Sequence, residues 1–171
     1  MADLSAQLLA GFERLGVSLA IAESLTGGAL CAELVAVPGA SKVVLGGVVA
    51  YQTELKHSLL GVSQRLLAEA GAVSAEVAAQ MASGVRLRLA EQLGIDASRV
   101  IGVATTGVAG PDLQDGHPVG TVFVAISASG DYLAMDAVFA HHFLGDRSSI
   151  RAQAVDAAVL QLWEGLRNIV G

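Results

Sequence analysis

The chain has 171 residues, 53% of them hydrophobic but only 4% aromatic, with a net charge of −6 and a single cysteine. That length fits one domain, spanning 1–171, with a core of Ala, Val and Leu, and the acidic balance without a basic block argues against nucleic-acid and anionic-membrane surfaces. Lone Cys31 leaves no internal disulfide and no apolar run approaches the roughly 20 residues of a membrane span, so a cytoplasmic protein is expected.

Residues 3–15 set Leu4, Leu8, Phe12 and Leu15 on one helical face and carry Asp3 and Glu13 without the basic head and apolar stretch of a signal peptide, so an amphipathic helix is expected. A short strand follows over 18–22. Thr26-Gly27-Gly28 then opens a helix over about 27–36, ended by Pro38-Gly39. The apolar run 43–50 predicts a strand covered on both faces, as in α/β sheets. Two helical pieces, 52–60 and 63–70, flank Gly61, and Ser74 caps a longer helix to Leu93 with Val77, Met81, Val85 and Leu89 inward.

Residues 100–105 form another buried strand, and 110–118 a polar loop. Strands at 119–128 and 132–140 are joined by Ser129-Gly130-Asp131, a hairpin signal. A last helix runs over 146–169, carrying Ile150, Ala154, Ala158, Leu162 and Leu166 on one side. The order predicts an α/β fold: a three-layer α/β/α sandwich around a mixed, mainly parallel five-stranded sheet.

Ligands of open α/β sheets gather beyond the carboxyl ends of the strands, and three turns of special composition fall there. In Ser24-x-Thr26-Gly27-Gly28, a hydroxyl stands beside helix-start amides suited to an anion or an oxyanion. The same residues also read as an ordinary helix cap. Lys56, one of only two lysines, follows Tyr51 and Gln52. It is either a surface charge or, if buried, an amine base whose pKa has fallen by roughly three units.

The turn Thr106-Gly107-Val108-Ala109-Gly110-Pro111 suits a phosphate but lacks P-loop and dinucleotide spacing. Asp146, Arg147, Ser148 and Arg151 read as a capped helix start or as a phosphate clamp. His57, His117, His141 and His142 have no metal-ligand spacing, so no metal is expected.

In combination these segments resemble the CinA C-terminal domain family, whose characterised members are nicotinamide-nucleotide amidases. The resemblance covers about residues 8–166. It rests on AESLTGG at 22–28, the run from Leu45 to Val62 containing AYQTELK, TGVAGP at 106–111, PVGTVFVA at 118–125 and FLGDRSSIR at 143–151. It implies hydrolysis of nicotinamide mononucleotide to nicotinate mononucleotide and ammonia, without a cofactor, by a homodimer.

The resemblance also implies a catalytic Ser24–Lys56 pair with Tyr51 nearby. Substrate contacts are expected from Thr26, Gly27, Gly28, Gln52, Thr106, Gly107 and Arg147. Two departures stand out. Leu25 occupies a position where the family usually has cysteine, which leaves Ser24 as the nucleophile. The usually glycine-rich loop reads Asp112-Leu113-Gln114-Asp115-Gly116-His117, and both aspartates are expected to repel a nearby phosphate. That loop keeps two alternatives open: a catalytically silent nucleotide-binding module, and an amidase for another amide.

Overall fold

The computed structural model describes residues 2–129 and 136–170. Helix α1 (Ala2–Leu15) leads into β1 (Ser18–Glu23), α2 (Ala29–Val35) and β2 (Val44–Val49). Helices α3 (Thr53–Leu60), α4 (Gln64–Ala70) and α5 (Ala75–Leu93) precede β3 (Val100–Gly107). Strands β4 (Thr121–Ser127) and β5 (Ala137–His142) and helix α6 (Arg147–Val170) complete the order.

The sheet runs β2-β1-β3-β4-β5. Strand β1 pairs in parallel with β2 and β3, whereas β4 is antiparallel to both β3 and β5. Four strands therefore point one way and β4 alone is reversed. The expected hairpin residues 130 and 131, and 132–135 of the expected last strand, lie outside the described residues.

Each face of the sheet carries its own apolar layer. Leu8 and Phe12 of α1, Leu30 and Leu34 of α2, and Ile150, Ala154, Ala158, Leu162 and Leu166 of α6 cover Ile21, Val103 and Val124. On the other face, Val77, Met81 and Val85 of α5 and Leu60 of α3 cover Ala22, Ala104 and Ala125. Small side chains let the helices sit low. A Cβ on Gly102 would run into the Ala82 carbonyl, so α5 lies almost directly on β3. The inward alanines of α5 and α6 are core in the single chain.

Two expectations need correction. The apolar run 43–50 is not covered on both faces: β2 is an edge strand with Gly47 and Val49 exposed. The central positions belong to β1 and β3, and all eight residues of β3 are buried. An apolar run alone does not distinguish a central strand from an edge strand whose faces are only partly covered.

The second correction concerns the helix expected over 27–36, which starts at Ala29. Its N-cap is left-handed Gly28, without a capping side chain of its own. Ser74 does cap α5, accepting from the Val77 amide, and Asp146 accepts from the Ser149 amide at the start of α6.

Candidate active site

The carboxyl ends of β1, β2 and β3 lie side by side, and the turns leaving them meet at one edge of the sheet. Ser24 is the first residue past β1. Its amide donates to the Thr105 carbonyl of β3 at 2.9 Å, so the sheet itself fixes the start of the turn. Only 8% of Ser24 is exposed.

Glu23 supplies the cap that the next helix lacks. Its fully buried carboxylate accepts from the amides of Gly28 (2.9 Å), Leu30 (3.1 Å) and Cys31 (2.9 Å). These are the free donors of a helix N-terminus, where a carboxylate is favoured by both hydrogen bonding and the helix dipole. From the other side, Arg151 donates to the carbonyls of Leu25 (2.9 Å) and Thr26 (2.7 Å). Between them, Glu23 and Arg151 hold both ends of the Ser24–Gly28 turn.

Lys56 reaches the same point from α3. On this short helix, Lys56 and Leu60 are the buried residues, one turn apart and on one face. The side chain is 1% exposed, and its Nζ donates to Ser24 Oγ at 3.1 Å and to the Ala50 carbonyl at 2.8 Å. Burial pulls its pKa down to about 8, against the opposing pull of the Asp115 and Glu54 carboxylates. An amine with that pKa is about one-tenth neutral at pH 7, far more than an ordinary lysine, and can serve as a base.

In front of Ser24 opens a cleft of about 340 Å³, lined by Leu25, Tyr51, Gln52, Gly107, Asp112, Leu113 and Arg147 among others. Arg147 spans its mouth, donating to the Tyr51 hydroxyl and to the Gly110 carbonyl, both at 2.7 Å. Tyr51 is 53% exposed, and its oxygen is engaged by Arg147 rather than by Ser24. Arg147 forms no ion pair among the described residues.

Other expected contacts lie elsewhere. Thr106 is fully buried and donates to the Ala72 carbonyl at 2.7 Å, on the α5 side of the sheet and outside the cleft lining. Thr26 is also buried, with its hydroxyl 2.7 Å from that of Thr105. The amide of Gly27 is taken by the Ser24 carbonyl at 3.1 Å and that of Gly28 by Glu23, so neither is free to meet a ligand. Arg151 is spent on the turn, and Ser148 donates to Asp146 at 2.8 Å, which leaves Arg147 as the cation of the expected clamp.

Of the two loop aspartates, Asp112 lines the cleft, whereas Asp115 accepts from the Ala72 amide at 2.7 Å and is not part of the lining. The roles of Glu23, Arg151 and Asp115 were not apparent from sequence. Glu23 alone left a local trace, an acidic residue just ahead of a helix start.

The arrangement is an α/β/α sandwich with a buried hydroxyl–amine pair at the carboxyl edge of its sheet. The CinA C-terminal domain model matches residues 1–166, and the chain belongs to that family. A CinA-like protein of Frankia casuarinae is 44% identical over 154 residues, covering 88% of this chain and 33% of that protein. One from Gemmatimonas aurantiaca is 42% identical over 161 residues, covering 94% and 35% respectively. The chain thus spans about a third of the length of these curated relatives. Among solved structures, a CinA superfamily protein of Klebsiella pneumoniae superposes with a TM-score of 0.85 at 32% identity, covering 98% of each chain.

Proposed function

We propose that the protein hydrolyses the carboxamide of nicotinamide mononucleotide, giving nicotinate mononucleotide and ammonia, with Ser24 as nucleophile and Lys56 as general base. The observation that carries this reading is the 3.1 Å contact between a buried lysine amine and a serine hydroxyl at the head of a cleft.

In the neutral state the amine keeps one N–H on the Ala50 carbonyl and turns its lone pair to the Ser24 hydroxyl. As Ser24 Oγ bonds to the carboxamide carbon, its proton passes to Lys56. The tetrahedral adduct then collapses, the C–N bond breaks, and the new ammonium of Lys56 gives that proton to the departing ammonia. A water molecule, deprotonated by Lys56, attacks the resulting ester. The C–O bond to Ser24 breaks, the serine regains a proton, and the carboxylate product leaves.

The oxyanion is assigned to the Gly107 amide. The amide of Val108 donates to Thr121 of β4 at 2.8 Å, so by strand alternation the Gly107 N–H points to the opposite side, toward the Ser24 turn. Arg147 takes the 5′-phosphate, exchanging its contacts with Tyr51 and Gly110 for a stronger charge-assisted pair. Tyr51 and Gln52 form the wall beside it.

Incubation with nicotinamide mononucleotide, followed by separation of the products, tests the reading. Ammonia and nicotinate mononucleotide in equal amounts are expected. Unchanged nucleotide that nevertheless binds would favour the silent binding module, and turnover of a different amide alone would move the substrate assignment.

A further inference from the structure

Residues 111–116 are all exposed and lie outside every helix and strand, yet Asp112, Leu113 and Gln114 among them line the cleft in front of Ser24. A stretch with so little burial is ordinarily mobile. Among the described residues, one hydrogen bond alone joins these six to a part of the chain outside the loop: the Asp115 carboxylate accepts from the Ala72 amide at 2.7 Å. Ala72 is buried, so its N–H needs an acceptor, and the acceptor comes from 43 positions further along. The Ala72 carbonyl is held in turn by Thr106 of β3, which fixes the anchor point to the centre of the sheet.

The loop is shaped to deliver that carboxylate. Gln114 and His117 form an isolated antiparallel bridge around Asp115-Gly116. Asp115 has a φ of 51°, in the left-handed region that Asp and Asn tolerate better than other side chains. Gly71 leaves room for the docking, since a Cβ there would collide with the Asp115 carboxyl group. The two ends of the loop are held separately. The Gly110 carbonyl accepts from Arg147, and the His117 ring stands edge-on to Phe123 of β4 with centroids 6.4 Å apart. Between these supports the tip depends on Asp115.

We propose that Asp115 is a positioning residue for the cleft: docked on Ala72, it holds Asp112, Leu113 and Gln114 as a fixed wall that a ligand meets already formed. Ordering a loop on binding opposes affinity, and holding it in place beforehand removes that cost. The benefit falls on binding and not on bond breaking, because Ser24 and Lys56 are held through Thr105 and Ala50, away from the loop. The consequence for turnover rests on the amidase reading above; the fixing of the wall does not.

Two variants separate the tether from the charge and the turn. Asp115→Asn keeps the left-handed turn and an oxygen for the Ala72 amide but loses the charge, whereas Asp115→Gly keeps the turn and loses the oxygen. In the protein without substrate, hydrogen exchange of the Ala72 amide, followed by NMR, is expected to be at least about tenfold faster in Asp115→Gly and close to wild type in Asp115→Asn. Backbone relaxation at 112–114 should show added motion in the glycine variant alone. With nicotinamide mononucleotide, KM should rise about tenfold in Asp115→Gly while kcat stays within about twofold, and Asp115→Asn should keep both.

Unchanged Ala72 exchange and loop order in Asp115→Gly would overturn the proposal. So would a KM that moves equally in both variants, which assigns the effect to charge, or a KM that stays put although the loop has loosened, which leaves Asp115 a structural tie only. A wild type that neither binds nor turns over the nucleotide would count against the proposed function, and the exchange comparison would still decide whether Asp115 fixes the wall.

Discussion

Lys56 Nζ lies 3.1 Å from Ser24 Oγ although the two residues are 32 positions apart and arrive from different elements, a strand-end turn and a short helix. The sheet fixes one partner through the Ser24–Thr105 backbone bond, and the second contact of the amine, to Ala50, fixes the other. Both positions are held by contacts made within the chain itself.

The pH dependence of turnover follows. With the Lys56 pKa at about 8, the base is mostly protonated below that value. At pH 7 roughly one-tenth is neutral. The kcat/KM profile should therefore climb about tenfold per pH unit on its acid side and level off near pH 8. An acid limb centred near pH 5 or 10, measured under subsaturating substrate, would contradict the assignment of Lys56 as base.

The same burial carries a stability cost. The folded pKa of Lys56 lies below its unfolded value, so between about pH 8 and 10.5 the unfolded chain binds more protons and stability rises with pH. Below about pH 8 the full cost is present. Lys56→Met should be inactive yet more stable than the wild type at pH 7, by about 1–3 kcal/mol, with the difference shrinking toward pH 10. Urea unfolding at the two pH values checks this, and a variant less stable than the wild type at pH 7 would contradict it.

Glu23 should matter to fold and function together. Truncation to alanine leaves three amides at the start of α2 without their acceptor in a fully buried site. A loss of about 2–4 kcal/mol is expected, with lower kcat because Ser24 is the next residue. Thermal unfolding and steady-state kinetics on Glu23→Ala and Glu23→Gln measure both. Near-neutral stability of the alanine variant would show that the cap contributes little.

Much of the frame was legible in the sequence. Apolar runs and turn residues located the five strands and six α-helices of the described residues, and Ser74 and Asp146 announced their caps. What was not legible depended on partners distant in the chain. The run at 43–50 does not say that β2 lies at an edge, since that is decided by where β3 inserts. Thr106 looked like a ligand group because it follows a strand, but alternation turns its hydroxyl to the α5 side and onto Ala72. Arg147 and Arg151 share a local pattern, yet one spans the cleft mouth and the other is consumed by the carbonyls of Leu25 and Thr26, about 125 positions earlier. The Asp115–Ala72 bond has no local signal at all.

Arg147 makes the phosphate assignment testable. Its present partners are a tyrosine hydroxyl and a carbonyl, neither of them charged. Arg147→Met should raise KM for nicotinamide mononucleotide by about 10- to 100-fold, consistent with a lost charged hydrogen bond of roughly 1.5–3 kcal/mol, while barely affecting nicotinamide riboside. Equal losses for both substrates would remove the phosphate from Arg147 and leave it only its bridge between Tyr51 and Gly110.

The measurement closest to the central claim is the rate of ammonia release from saturating nicotinamide mononucleotide by the wild type, Ser24→Ala and Lys56→Ala, each confirmed as folded. The account predicts release by the wild type and a fall of at least about a thousandfold in each variant, because nucleophile and base act as a unit. Turnover by Ser24→Ala at a rate near that of the wild type would contradict it.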